Sequence, residues 1–195
     1  SIDPLTGAKI TRYIVEEERI TKIVDMSLNW AKLKYIPNSQ KKVAIIFHNY
    51  PPKNHSIGTA FGLDSPVSVI NILKEMDNRG YNVERIPSDG NALIKEIIER
   101  ATNDRSFISN KELYNKAVDS VDLENYFNWF NKLSDKVKDD MIKYFGNIPG
   151  EMFNYKDSLI IPGIINGNIF IGIQPPRGFL EDGVNIHNPD LPMPH

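Results

Sequence analysis

Cysteine is absent from all 195 residues, which removes disulfides, thiolate zinc sites, iron–sulfur clusters and cysteine nucleophiles together. That absence is compatible with a cytosolic address, and a cytoplasmic location is expected. Long apolar runs are also missing. The longest, around Val43–Phe47 and Ile169–Ile173, fall far short of the ~20 residues that span a bilayer, and the start shows no basic-then-apolar signal pattern. No membrane span is expected. Neither sign of charge dominates, with 23 Lys+Arg against 25 Asp+Glu and a net charge of −2. No basic stripe is present to neutralise phosphates, so nucleic acid is not an expected partner. Phosphate-cradling fingerprints of the type G-x-x-x-x-G-K-[ST] or G-x-G-x-x-G do not occur, nor does H-E-x-x-H or the G-x-S-x-G elbow. Glycine and proline are missing from the 55 residues Asn91 to Phe145, a texture that only helices and their links accommodate comfortably.

What is present is a globular balance, 41% hydrophobic and 25% charged, in a length suited to one domain. Ile20, Ile23, Val24, Leu28 and Ala31 keep a helical interval from Glu16 to Lys34, predicting a helix with one buried face that Pro37 ends. Val43-Ala44-Ile45-Ile46-Phe47 is a continuous apolar run, as expected of a central parallel strand covered on both faces. Ser65 supplies the N-cap and Pro66 the first-turn proline of a helix carrying Val69, Ile72, Leu73 and Met76, which Gly80 closes. Tyr81 to Ile86 reads as a second short strand, completing a doubly wound beginning.

Leu93, Ile94, Ile97 and Ile98 mark the next helix. Ser109 and Glu112 form a capping box before another, and two more follow around Tyr126–Leu133 and Val137–Phe145. Residues 91–146 are therefore expected as a helical subdomain. From Asn147 onward lie 7 of the 13 prolines. Ser158–Ile161 and Ile169–Ile173 flank the turn signal Asn166-Gly167, predicting a hairpin, and Pro175-Pro176 cannot continue a ladder. The remainder is expected as a proline-rich arm. The fold class is α/β: a doubly wound parallel-sheet core with a helical insertion and a C-terminal β-hairpin plus arm, in a single domain over 1–195 that 147–195 completes.

The loop HNYPPKNHSIGTAFGLD, His48 to Asp64, leaves the carboxyl end of the first strand, where open α/β sheets place ligands. His48 and His55 lie within it, and His187 and His195 lie in the arm. A site joining His48 to His187 with a carboxylate such as Asp64 or Asp190 requires the arm to fold back over the crevice. Asp64 is equally an ordinary helix-start acid. Arg177 either clamps a ligand carboxylate bidentately or pairs with Glu181 or Asp182. The aromatic group Tyr126, Phe127, Trp129 and Phe130 stands at helical spacing and reads as core.

IDPLTGAKITRY (Ile2 to Tyr13), NWAKL (Asn29 to Leu33), KVAIIFHNYPPKN (Lys42 to Asn54), IGTAFGLDSP (Ile57 to Pro66), GNIFIGIQPPRG (Gly167 to Gly178) and HNPDLPMPH (His187 to His195) occur in this order. Together they resemble the CobN-type large subunit of cobaltochelatase and its relative, the magnesium chelatase H subunit, over nearly the whole chain. GLDSP looks closer to the cobalt branch. Ile186, Asn188 and Met193 depart from the family's pattern and leave metal and macrocycle preference open.

The resemblance implies insertion of Co2+ or Mg2+, as substrate, into a corrin-pathway or porphyrin ring in cobalamin-type biosynthesis. It implies a tetrapyrrole partner, and ATP hydrolysed on separate AAA+ and integrin-like-domain subunits rather than here. It also implies a piece of a longer polypeptide, inactive alone, with further His and Glu residues beyond His195. Metallation removes two pyrrolic protons, strips water from the ion and holds a flat, carboxylate-bearing ring. On that footing His48 and His187 are expected as proton acceptors or transient metal ligands, and Asp64 as an orienting carboxylate or loop anchor. Lys53 and Arg177 are expected to face ring carboxylates, with Asn49, Asn54 and Gln174 also at the substrate. The alternatives are a non-catalytic scaffold or partner-docking module of the same subunit and a stand-alone nucleotide-binding α/β enzyme.

Overall fold

The computed structural model describes residues 2–9, 13–104, 106–150, 152–175 and 190. Two compact units divide at Pro37 and Asn38. In the first, an isolated bridge joins Ile2 to Lys9, and helix α1 spans Glu17–Lys32. Its last turn tightens through i→i−3 bonds from Leu33, Lys34 and Tyr35, short of Pro37. The helix forms where its spacing predicts, but the expected buried face is not observed. No residue of α1 is buried, and Ile23 is 62% exposed. A lone helix cannot cover its own apolar stripe.

In the second unit, chain order gives β1 (Val43–Phe47), β2 (Thr59–Ala60), β3 (Leu63–Asp64), α2 (Ser65–Asn78), α3 (Gly90–Ala101), α4 (Asn110–Lys116), β4 (Asp119–Asp122), α5 (Leu123–Phe130) and α6 (Asp135–Phe145). After these come β5 (Asn154–Tyr155), β6 (Ser158–Ile161), β7 (Ile164–Asn166) and β8 (Ile169–Ile173). They make a mixed α/β unit with three small sheets, ordered β1-β8-β7, β2-β3 and β4-β6-β5. Parallel pairing among the described residues is confined to β1 and β8, in the register Val43↔Ile169 to Phe47↔Ile173. So β1 is an edge strand of its described sheet rather than a central one, and the expected doubly wound parallel sheet is not seen among the described residues.

The core gathers Phe47, Ile57, Val69, Ile70, Leu73, Leu93, Ile97, Ala101, Ile164, Ile169 and Ile171. Helix α2 contributes Val69, Ile70 and Leu73, while Ile72 turns outward at 49% exposure, because the stripe is centred one residue away from the expected one. Asp64, not Ser65, is its N-cap, accepting from the Val67 amide at 3.0 Å. Asp89 caps α3 in the same way through Ala92, and Ser109 with Glu112 makes the expected capping box on α4.

Three expectations need correction. Tyr81 to Ile86 is not a strand. A side chain takes the place of a ladder there: buried Asn166 accepts from the Glu84 and Arg85 amides through Oδ1 (3.0 and 2.9 Å) and donates to the Arg85 carbonyl through Nδ2 (2.7 Å). The glycine- and proline-free stretch is not purely helical, since β4 interrupts it to pair antiparallel with β6. The hairpin at Asn166-Gly167 exists, but its first strand is β7, and Ser158–Ile161 belongs to the other sheet. In the aromatic group Phe130 is buried, while Trp129 and Phe127 are exposed. The proline-rich arm beyond Pro175 lies outside the described residues, apart from Asp190.

Candidate functional site

Because β1 and β8 run parallel, their carboxyl ends share one edge of the sheet. The Gln174 amide donates to the Phe47 carbonyl at 2.8 Å, so the chain leaving β8 departs beside the loop that begins at His48. That loop closes on itself. The Gly58 amide donates to the His48 carbonyl at 2.7 Å, and an isolated bridge joins Asn49 to Ile57. Gly58 has φ +68°, and a Cβ there would stand 2.7 Å from the Phe47 ring. A side chain would force both the backbone and the end of β1.

The segment after α3 holds this edge together. Thr102, Asn103 and Asp104 are 0%, 3% and 6% exposed, and each meets a different part of it. The Thr102 hydroxyl donates to Asn54 Oδ1 and accepts from the Asp104 amide. Asn103 Nδ2 donates to the Gln174 carbonyl (3.1 Å), while its Oδ1 accepts from Asn49 Nδ2 (2.6 Å). A carbonyl only accepts, so Gln174 fixes the orientation of the Asn103 amide, and Asn103 in turn fixes that of Asn49. The relay leaves Asn49 Oδ1 buried with no hydrogen-bond partner among the described residues.

Asp104 is the densest node. Its Oδ2 accepts from the Asn54 amide at 3.2 Å. Its Oδ1 accepts from the Ser106 amide (3.1 Å), the Ser106 hydroxyl (2.5 Å) and the Lys53 ammonium (3.4 Å). Burial pushes this carboxyl up, but the Ser106 hydroxyl, the Asn54 and Ser106 amides and the Lys53 charge outweigh it and hold the pKa below its ordinary value. The carboxylate is buried, whereas Lys53 remains about half exposed and also reaches Ser106 Oγ at 3.4 Å.

The structure therefore brings together Asn49, Lys53, Asn54 and the backbone of Gln174. His48 is exposed at the mouth of the same loop, and His55 is exposed in the short 3-10 turn Asn54–Ser56. Asp64 is exposed and engaged as the α2 cap, which is the loop-anchor part of its expected role. His187, Arg177 and His195 lie outside the described residues, as does any meeting of the arm with the crevice. Among the described residues no group of three or more His, Asp or Glu side chains is placed to hold a metal ion. No described helix is long and apolar enough to cross a membrane.

Thr102, Asn103, Asp104 and Ser106 carry no recognised motif and fall inside the stretch expected to be helical. Their signal was the abrupt run Thr-Asn-Asp after Ala101, side chains that compete with helix for backbone hydrogen bonds.

The class so defined is an α/β unit with a buried polar cluster at the carboxyl edge of its parallel strand pair, the position at which such sheets meet ligands. A profile described as CobN/Magnesium Chelatase matches residues 2–195, and the chain belongs to that family. It is 54% identical over 194 residues to an uncharacterised protein of Methanocaldococcus jannaschii, covering 99% of this chain and 16% of that one. It is 29% identical over 184 residues to the aerobic cobaltochelatase subunit CobN of Pseudomonas aeruginosa, covering 94% of this chain and 14% of the relative. Among solved structures it is similar to the catalytic subunit of cobaltochelatase from Mycobacterium tuberculosis, with TM-score 0.78 and 32% identity over 100% of this chain and 16% of that one. The chain thus spans about one-sixth of the length of the relatives it matches.

Proposed function

We propose that this chain is part of the large, tetrapyrrole-binding subunit of an ATP-dependent chelatase that inserts Co2+ or Mg2+ into a corrin-pathway or porphyrin ring in the cytoplasm. ATP is hydrolysed by AAA+ and integrin-like-domain partners. The observation that carries the reading is the built edge itself. The His48 loop, the exit of β8 and the Thr102–Asp104 segment are tied into one polar surface in a chain of this family.

On this surface Lys53, with Arg177 from the arm, faces ring carboxylates, and Asn49, Asn54 and Gln174 complete the contact. Insertion releases two pyrrolic protons for each divalent ion taken up. His48, exposed and free of the carboxylate network, is the nearby imidazole that accepts a proton or briefly ligates the ion, with His187 as its counterpart. Asp64 anchors the far end of the loop to α2. In the full-length subunit with its partners, His48→Ala and His187→Ala are expected to lower the insertion rate by about 10²-fold or more, the usual worth of a positioned acid or base. Unchanged metal insertion and ring affinity in both variants would remove the assignment.

A scaffold or docking role within the same subunit is the second reading, favoured by the wholly exposed apolar stripe of α1. Tetrapyrrole titration separates the two. Quenching of Trp30 or Trp129 at micromolar ring supports binding, and a flat response supports the scaffold.

A further inference from the structure

We propose that Asp104 is a positioning residue for ligand carboxylates, acting through Lys53; this rests on the tetrapyrrole-binding reading and extends it to a residue that never touches the ring. The Lys53 ammonium has three donors. Two are directed at Asp104 Oδ1 and Ser106 Oγ, each at 3.4 Å, and the third remains for a ligand on the exposed half of the side chain. Both existing contacts are long, so they hold the ammonium in place without saturating it.

A lysine on a flexible stem loses much rotamer freedom when it clamps an anion. Here part of that loss is already taken in the unliganded protein through the Asp104 and Ser106 contacts, which is how preorganisation raises affinity. The buried carboxylate does not repel an incoming anion strongly. Besides Lys53, it already accepts three other donors, the Asn54 and Ser106 amides and the Ser106 hydroxyl. The same turn fixes the backbone just after the lysine. Asn54, its neighbour, donates to Asp104 through its amide and accepts from Thr102 through its side chain. The position of Lys53 is thus set by one buried residue about fifty positions further along the chain.

The test uses the intact large subunit and two probes, a metal-free porphyrin bearing propionates and its methyl ester, titrated by fluorescence in the same dilute detergent. Asp104→Asn and Lys53→Met are each expected to weaken the acid ring about tenfold and leave the ester unchanged. The double variant is expected to bind the acid no more weakly than Lys53→Met alone, because both act on one contact. A merely structural role for Asp104 would weaken acid and ester alike. That result, a fully additive double variant, or wild-type affinity in Asp104→Asn would each overturn the proposal. Wild-type protein that binds neither probe would instead overturn the tetrapyrrole reading on which it rests. Should Asp104→Asn fail to fold, Ser106→Ala removes one of the two acceptors around Lys53 and is expected to cost about threefold for the acid alone; equal loss for both probes, or no loss, counts against Asp104.

Discussion

Asp104 shows how a single buried carboxylate acquires a pH signature. Its pKa is depressed in the folded protein, so the unfolded chain binds the proton more readily. The stability it contributes is present above the ordinary carboxylate pKa and is lost as pH falls through the depressed folded value. Asp104→Asn is expected to destabilise the protein by about 1–3 kcal/mol at neutral pH, the worth of a buried charged acceptor. In urea unfolding at a series of pH values the gap between wild type and variant should close in acid. A gap that is constant down to the lowest pH would show that the charge is not what matters. At this scale local chemistry was readable in advance. The Ser109–Glu112 pair acts across three residues, so spacing alone reveals it, and the α2 cap lies a single residue from the expected one, Asp64 taking the role expected of Ser65. Asp104 answers to Lys53 and Asn54, about fifty residues back, and no local pattern carries that information.

Elements were legible where apolar periodicity alone decides them, and illegible where a side chain or a distant strand decides. Strand β1 and helices α2 and α3 follow from their own sequences. The stretch Tyr81 to Ile86 has strand-like composition, yet Asn166 supplies the hydrogen bonds of Glu84 and Arg85 in place of a neighbouring ladder. Strand β4, Asp-Ser-Val-Asp, has almost no strand character and forms because β6 offers it an edge. Asn166→Ala leaves two amides and a carbonyl without partners. Hydrogen exchange at Glu84 and Arg85 is expected to lose most of its protection, with a stability cost of about 2–4 kcal/mol. Protection unchanged at those two amides would mean that the segment is held by something other than Asn166.

At the scale of the molecule, every residue of the principal core lies between Phe47 and Ile171, inside the unit that begins at Asn38. Deleting residues 1–37 is accordingly expected to leave a cooperatively unfolding protein with its helical circular dichroism largely kept; a molten, non-cooperative product would refute this. The family was readable from its ordered peptide segments, because those hold loop and site residues. The sheet order was not, because periodicity marks a strand without naming its neighbour.

The pairing of Val43 with Ile169 also has a consequence during synthesis. At 5–20 residues per second, roughly 6 to 25 s pass between translation of the first strand and of its partner. Throughout that interval a bare apolar ribbon trails from the ribosome with its sticky edge unmatched, an invitation to wrong pairing. Nascent chains stalled before residue 169 should therefore be avid clients for holding chaperones, and chains extended past Ile173 and clear of the exit tunnel should let them go.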